Sequence, residues 1–323
     1  MSMVWPSSPR QGHCLVPPQG KGFDSMGLLQ NDSSHNQEVV SEVIQIRGGH
    51  DARLRPLHGS GQHMGGHGVS PQMLALWAVP RSVSTAFAKA ISGSNGVSVL
   101  HEPFTDCYYF GPNRRSMRYG NRPIVAHFDE RAAMELILSA ARSDCKTLFI
   151  KELAFQALPF VQDELLSRVA STLLVRHPTR VIASLLRLKP DFTEDELGFQ
   201  ALDALDLRIT ALRGTPPMVI EGEQFRTHPR QTLLHFCSIH GLRFSDEMLN
   251  WSMGAMRPWL PHERESQQKW HATLERSQTI LPSTDTVSAL HLSREQEDMR
   301  MRALEIYDRF LRRERLMAGP LDS

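Results

Sequence analysis

The 323-residue chain has few of the features that would assign it to a function class at a glance. It has only four cysteines, Cys14, Cys107, Cys145 and Cys237, with no C-x-x-C pair. That scatter excludes a disulfide frame or a zinc knuckle and points to reduced thiols in a cytosolic protein. No apolar run is long enough to span a bilayer, which excludes a membrane-crossing helix. Met1 to Gln11 holds prolines, serines and one arginine where a secretory leader would show a basic-then-apolar pattern, so a cytoplasmic location is expected. Net charge is nearly absent at +1, which argues against a general binder of nucleic acid but leaves room for a local cationic pocket. There is no internal repeat. There is also no G-x-x-x-x-G-K loop, so a magnesium-dependent nucleotide kinase would lack its lysine.

What is present divides near residue 70. Residues 1–70 carry clusters such as PSSPRQG, VPPQGKG and GSGQHMGGHG with few periodic apolar positions. Such a segment buries too little apolar surface to offset its ordering entropy, and it is expected to be a mostly disordered tail. Within it, EVVSEVIQIR at 38–47 is compatible with a short strand or helix, and a start at Met64 or Met73 would dispense with most of the tail. His50, His58, His63 and His67 follow no rigid spacing, so they read as solvated side chains and not as a metal site.

Residues 71–318 read as one domain. Five apolar runs have the length of buried strands: MLALWAV (73–79), VSVLHEP (97–103), KTLFIKEL (146–153), STLLVRH (171–177) and PPMVIEG (216–222). Helical periods alternate with them. These are TAFAKAISG after the first strand, ERAAMELILSAARS (130–143), PFVQDELLSRV, TRVIASLLRL, a longer helix over 194–213, PRQTLLHFCSIHGL and a last helix at 294–316. This alternation predicts an α/β fold with a mostly parallel central sheet flanked by helices. In such sheets ligands bind beyond the carboxyl ends of the strands, which selects Pro80–Thr85, His101–Phe104, Lys151–Leu153, Arg176–His177 and Glu221–Glu223.

Three of these places can carry chemistry. The turn AVPRSVSTAF opens a helix whose first amides lack partners, and it adds Arg81 and the hydroxyls of Ser82, Ser84 and Thr85. Together these could cradle an anion. Taken alone, the turn is equally compatible with a capped helix carrying a surface arginine. Arg176 leaves the fourth strand, and Ser184 follows eight residues later, a spacing that can bring a guanidinium and a hydroxyl to one phosphate. An arginine bridging a helix terminus is the blander reading of that pair. Glu102, with Phe104, Tyr108 and Tyr109 as an apolar wall, could serve as a general base. Its bland alternative is a salt-bridged carboxylate at a strand end.

PRSVST and VRHPTRVIAS, about 95 residues apart, resemble the two phosphate-binding signatures of the sulfotransferase superfamily. LWAVPRSVSTAF, LHEPFTDCYYFGP, TLFIKELAF, LLVRHP and KWHATLERS follow in the order of a bacterial and plant branch. That branch lies nearer the carbohydrate and tyrosyl-protein enzymes than the steroid and phenol ones, and the resemblance spans about residues 73–280. It implies a P-loop NTPase-like three-layer fold. It also implies 3′-phosphoadenosine 5′-phosphosulfate as co-substrate, no metal, and transfer to a hydroxyl or amine of a small-molecule acceptor.

By the same resemblance Arg81, standing where many members have lysine, would hold the 5′ end of the donor with Ser82, Ser84 and Thr85. Arg176 and Ser184 would hold the 3′-phosphate, and Trp270 and His271 would lie in the loop that closes over the nucleotide. The glycine-rich closing motif of the cytosolic branch is absent. Glu102 would be the base and His101 its reserve. The steroid branch has Lys-x-His where this chain reads Lys151-Glu152-Leu153, so the lysine is retained beside the bridging oxygen and the histidine is not.

Two other classes fit parts of this pattern: a nucleotide kinase, and a nucleotide-binding scaffold without activity. His127, His177 and His262 read as local hydrogen-bonding residues, Trp251 and Trp259 as core or lid, and LRRER at 311–315 as a solvated face without affinity for nucleic acid. The acceptor depends on the loops 105–130, 188–200 and 252–270, whose shape the sequence does not give, and the oligomeric state is equally unspecified.

Overall fold

The computed structural model describes residues 71–143, 145–283 and 290–318. The tail expected over 1–70, with its four histidines and the stretch at 38–47, lies outside the described residues. The first half of the domain runs β1 (Gln72–Ala78), α1 (Ser84–Ile91), β2 (Val97–His101), α2 (Thr105–Tyr109), α3 (Glu130–Ala141), β3 (Thr147–Leu153), α4 (Ala154–Ala157) and α5 (Asp163–Arg168). It continues through β4 (Ala170–Val175), α6 (Pro178–Leu188), α7 (Glu194–Leu197), α8 (Phe199–Arg213), β5 (Met218–Glu221), α9 (Gly222–Thr227) and α10 (Pro229–His240). A 3-10 turn at Asp246–Leu249 precedes α11 (Arg264–Glu275) and α12 (Arg294–Ala318). Among the described residues no helix is long and apolar enough to cross a membrane.

The sheet has five strands in the order β2-β3-β1-β4-β5, and every pair is parallel. Side chains of β1 alternate between two apolar layers. Leu74, Leu76 and Ala78 face Phe87, Phe225 and Phe236, while Ala75, Trp77 and Val79 face α3, α6 and α8. Both faces are therefore covered by helices, as a parallel sheet requires, and the three-layer α/β architecture expected from the alternation is present. From β1 the chain builds β2 and β3 on one side, then β4 and β5 on the other. This reversal opens a crevice at the carboxyl end of β1, where neighbouring connections part.

The helix expected over 194–213 is in fact two. Thr193 and Glu196 close a capping box on α7, and Gly198 then adopts φ 81° before α8 begins. A Cβ at 198 would stand 2.8 Å from Pro80 Cδ, so the break docks against the turn that follows β1. At the start of α6, His177 Nδ1 accepts from the amide of Thr179 at 3.3 Å, a local cap as its place before Pro178 suggests.

Candidate active site

The turn after β1 is strained. Arg81 and Val83 sit at φ 59° and 67°, left-handed conformations that a β-branched valine rarely adopts. Val83 is the N-cap of α1 and supplies no side-chain cap, so the first amides of that helix keep their donor capacity facing the crevice. Ser84 and Thr85 line the cleft there with Pro80 and Arg81. The Ser82 hydroxyl, fully buried, donates instead to the Val79 carbonyl at 2.6 Å and holds the turn together from behind.

Arg81 Nε donates to Ser184 Oγ at 2.9 Å, and its NH1 donates to the Trp270 carbonyl at 2.8 Å. Burial, with Arg176 and Arg187 close by, pushes its pKa down to about 10, still charged at neutral pH. Arg176 reaches the same turn from beneath: its NH1 donates to the Arg81 carbonyl at 3.1 Å, and its Nε to Glu223 at 2.6 Å. The structure thus brings Arg81, Arg176 and Ser184 to one point between β1, β4 and α6.

The second group lies across the crevice. Glu102 ends β2 at φ 49° and is buried, and Lys151 of β3 donates to its Oε1. The Thr105 hydroxyl lies 3.2 Å from its other oxygen. Burial alone would raise this carboxyl, but the Lys151 ammonium, with His101 and His271 behind it, holds it well below the usual carboxylate range. His101 is 1% exposed, stands 3.8 Å from Glu102, and neither ring nitrogen has a hydrogen-bond partner. Burial keeps it neutral, far below the usual imidazole pKa.

Sequence reasoning passed over Glu152. Its carboxylate accepts from the amides of Phe104 at 2.8 Å and Leu153 at 2.7 Å, pinning the end of β2 to β3. Burial and the neighbouring charge of Glu102 push it up to about 8.

Helix α11 forms the roof. Trp270 contributes its carbonyl to Arg81, and His271 Nε2 lies 3.4 Å from Thr85 Oγ1. The His271 ring is enclosed by Trp259 and His101 at 5.0 and 5.6 Å, and burial pushes its pKa down to about 4. With the roof in this position the cleft holds about 70 Å³, and its far wall is Tyr109, Arg118, Tyr119, Phe155, Gln156 and Glu196. Arg118 and Tyr119 were not singled out from sequence, because they lie on an irregular segment whose path no periodicity reveals; Glu196 lies on α7, and the break at Gly198 that sets this short helix apart is not visible in the helical period. Among the other residues noted, Trp259 Nε1 donates to Glu275 at 2.8 Å, Trp251 Nε1 to the Ser277 carbonyl at 3.1 Å, and His262 pairs with Asp106 at 3.0 Å.

Among the described residues two clusters bring metal-ligating atoms within 4.8 Å of one another: His101 with Glu102 and His271, and Asp106 with His262 and Glu263. In the first, Lys151 already neutralises Glu102; in the second, Arg257 holds Glu263 and the histidine pairs directly with Asp106.

The family model described as "Sulfotransferase domain" matches residues 72–282. Among curated proteins the chain is similar to the branched-chain-amino-acid aminotransferase-like protein 2 of Arabidopsis thaliana, 23% identical over 209 residues, covering 64% of this chain and 36% of that protein. The chain therefore spans about a third of that relative's length, and the aminotransferase-like designation belongs to the larger protein. Among solved structures it is similar to the sulfotransferase domain from the Synechococcus PCC 7002 olefin synthase, with TM-score 0.44 and 17% identity, covering 77% of this chain and 98% of that one. Mouse sulfotransferase SULT7A1 complexed with PAP gives TM-score 0.37 and 10% identity, covering 75% and 85% of the two chains.

Proposed function

The chain belongs to the sulfotransferase family, and from that premise we propose that it moves a sulfuryl group from 3′-phosphoadenosine 5′-phosphosulfate to a hydroxyl or amine of a small-molecule acceptor. The observation that carries this reading is one cleft lined both by the cationic turn of Arg81, Ser84 and Thr85 and by the Glu102–Lys151 pair. An anion held by the first would lie against the base held by the second.

The donor's 5′ end would rest on the first amides of α1, the Thr85 hydroxyl and Arg81. Its 3′-phosphate would take Arg176 and Ser184, competing with Glu223 for the first and with Arg81 for the second. The roof now sits on the groups that would hold the donor, the Trp270 carbonyl on Arg81 and His271 on Thr85, so α11 would lift to admit the nucleotide and settle back as a cover.

Lys151 then has a new partner. The sulfuryl oxygens would draw its ammonium away from Glu102, and a buried carboxylate that loses its counter-charge becomes a stronger base. The acceptor oxygen attacks sulfur in line as its proton passes to Glu102. The bond from sulfur to the bridging oxygen breaks, and its electron pair leaves on the 5′-phosphate. Arg81, Lys151 and the α1 amides stabilise that departing charge, so cations of the chain serve where a metal would otherwise be used. The nucleotide is made in the cytoplasm, and this is where we place the protein.

Calorimetry with the product nucleotide PAP, paired with transfer of a labelled sulfuryl group to a panel of hydroxyl and amine compounds, tests the reading. Arg176→Ala should weaken PAP binding by on the order of 10- to 100-fold, the worth of a charge-assisted contact. Glu102→Gln should bind PAP as the wild type does and lose turnover by on the order of 100- to 10,000-fold. Equal PAP affinity in wild type and Arg176→Ala would count against the reading. PAP binding without transfer to any compound would favour the scaffold.

A further inference from the structure

The acceptor end of the cleft carries a charge that the transfer chemistry does not use. Arg118 projects from the loop after α2 with its side chain 13% exposed. Its guanidinium carbon lies 4.6 Å from the centre of the Trp270 ring and 5.5 Å from that of Tyr109, a cation held between two aromatic faces. Its NH1 donates to the Tyr109 hydroxyl at 2.8 Å, while its Nε is buried without a hydrogen bond, 3.5 Å from Glu196.

Glu196 is not reserved for Arg118. The same carboxylate lies 3.0 Å from the Lys189 ammonium and accepts from the Thr193 amide at 3.0 Å. Two cations thus share one buried carboxylate. Lys189 has a second partner in Asp191, 3.3 Å away and 85% exposed, so Arg118 faces Glu196 as its buried acid while Lys189 divides its charge between the two. The loop itself is one-sided: residues 107–128 contain four arginines, at 114, 115, 118 and 122, and no aspartate or glutamate.

This cation is joined to the proposed base by a continuous polar wall. The Thr105 hydroxyl lies 3.2 Å from Glu102 and 2.8 Å from the Gln156 carbonyl oxygen; Gln156 Nε2 donates to the Tyr109 hydroxyl at 3.5 Å, which also accepts from Arg118. A small molecule lying along that wall with a hydroxyl at Glu102 would reach Arg118 with its other end.

We propose that the acceptor is a hydroxyl- or amine-bearing compound that also carries an anionic group, a carboxylate, phosphate or sulfate, and that Arg118 reads that group beneath the Trp270 indole. The proposal rests on the sulfotransferase reading above and adds the class of substrate. The aromatic rings hold the guanidinium in place before the substrate arrives, so little ordering is left for binding to supply.

The experiment uses the full chain with PAP and a set of hydroxyl compounds, each in matched carboxylate, methyl ester and amine-bearing forms, with phosphorylated members as a separate arm. PAP affinity is measured first by calorimetry, retention on the PAP-loaded protein by ligand-observed NMR, and transfer with the labelled donor. Anionic members should be retained and modified at least 10-fold better than their esters. The carboxylate and phosphate arms then tell which anion it is. Arg118→Gln should lower the anionic-to-ester ratio of kcat/KM by on the order of 10- to 100-fold, mostly through KM, and Arg118→Lys should recover part of it.

Absence of PAP binding by the wild type overturns the sulfotransferase reading, and this inference with it. PAP binding with no preference for anionic members, whether neutral compounds do better or none is retained, overturns this inference alone. So does an Arg118→Gln protein that binds PAP and loses anionic and neutral acceptors equally.

Discussion

Glu102 and Glu152 are both buried, Glu152 feels the charge of Glu102, and their surroundings push their protonation in opposite directions. Glu102 is ionised against Lys151, whereas Glu152, pushed up to about 8, holds a proton across neutral pH. Buried histidines add the reverse bias: His240 and His271 are both pushed down to about 4. In the unfolded chain histidines titrate near 6.5 and glutamates near 4.3. Between about 6.5 and 4 the unfolded chain takes up histidine protons that the folded one refuses, so stability falls as pH drops. From about 4.3 to 8 the folded chain keeps a proton on Glu152 that the unfolded one releases, so this group removes stability as pH rises. His101, buried and likewise pushed far down, joins these two, and the histidines outweigh Glu152 and the raised Glu221 on the acid side, whereas above about 6.5 the raised Glu152 carboxyl sets the slope. Thermal unfolding measured across pH should therefore peak near about 6.5, and Glu152→Gln should flatten the alkaline limb. Glu102 and Lys151 were legible in the sequence because each closes or nearly closes an apolar run. Glu152 was not, since its role arises from the Phe104 amide, 48 positions away, folding onto it.

At the scale of elements, the positions of all five strands could be read from apolar runs, because strands buried on both faces leave little room for polar residues. The helices that escaped prediction are short or polar. Helix α11, RESQQKWHATLE, has few apolar residues, because its inner face rests largely on the turn after β1 and meets the core through Trp270. The junction of β5 and α9 is equally silent in sequence and equally tied to the site. A Cβ on Gly222 would stand 2.7 Å from the Ser82 carbonyl oxygen, so the start of α9 presses directly on the turn that presents Arg81. Gly222→Ala should cost about 1–3 kcal/mol by overpacking. Because the displaced atoms belong to the turn proposed to hold the donor, it should also weaken PAP binding, a combination that urea unfolding and calorimetry would read together.

At the scale of the molecule, the family match ends at residue 282, yet the fold does not. Helix α12 buries Met299, Ala303, Ile306, Tyr307 and Phe310 in the layer beneath β1, and Arg313 binds both oxygens of Asp206 on α8 at 2.8 and 2.7 Å. Burial of Met299, Ile306 and Phe310 contributes about 1.5–3 kcal/mol apiece, a large fraction of the net stability of an ordinary domain. A chain ending before residue 290 should fail to fold cooperatively, while residues 71–318 should melt in one transition and bind PAP. Circular dichroism with heating distinguishes the two outcomes.

The indole at position 270 has two guanidiniums near its ring, Arg81 at 5.8 Å and Arg118 at 4.6 Å from the ring centre. On the proposed reading a ring in that position would make the two substrates' arrivals interdependent: lifting it for the nucleotide would strip Arg118 of one of its two aromatic neighbours, and its return would restore it. Kinetics with both substrates varied should accordingly show compulsory order, nucleotide first, and the doubly unproductive complex that forms when an acceptor enters ahead of its donor should be rare.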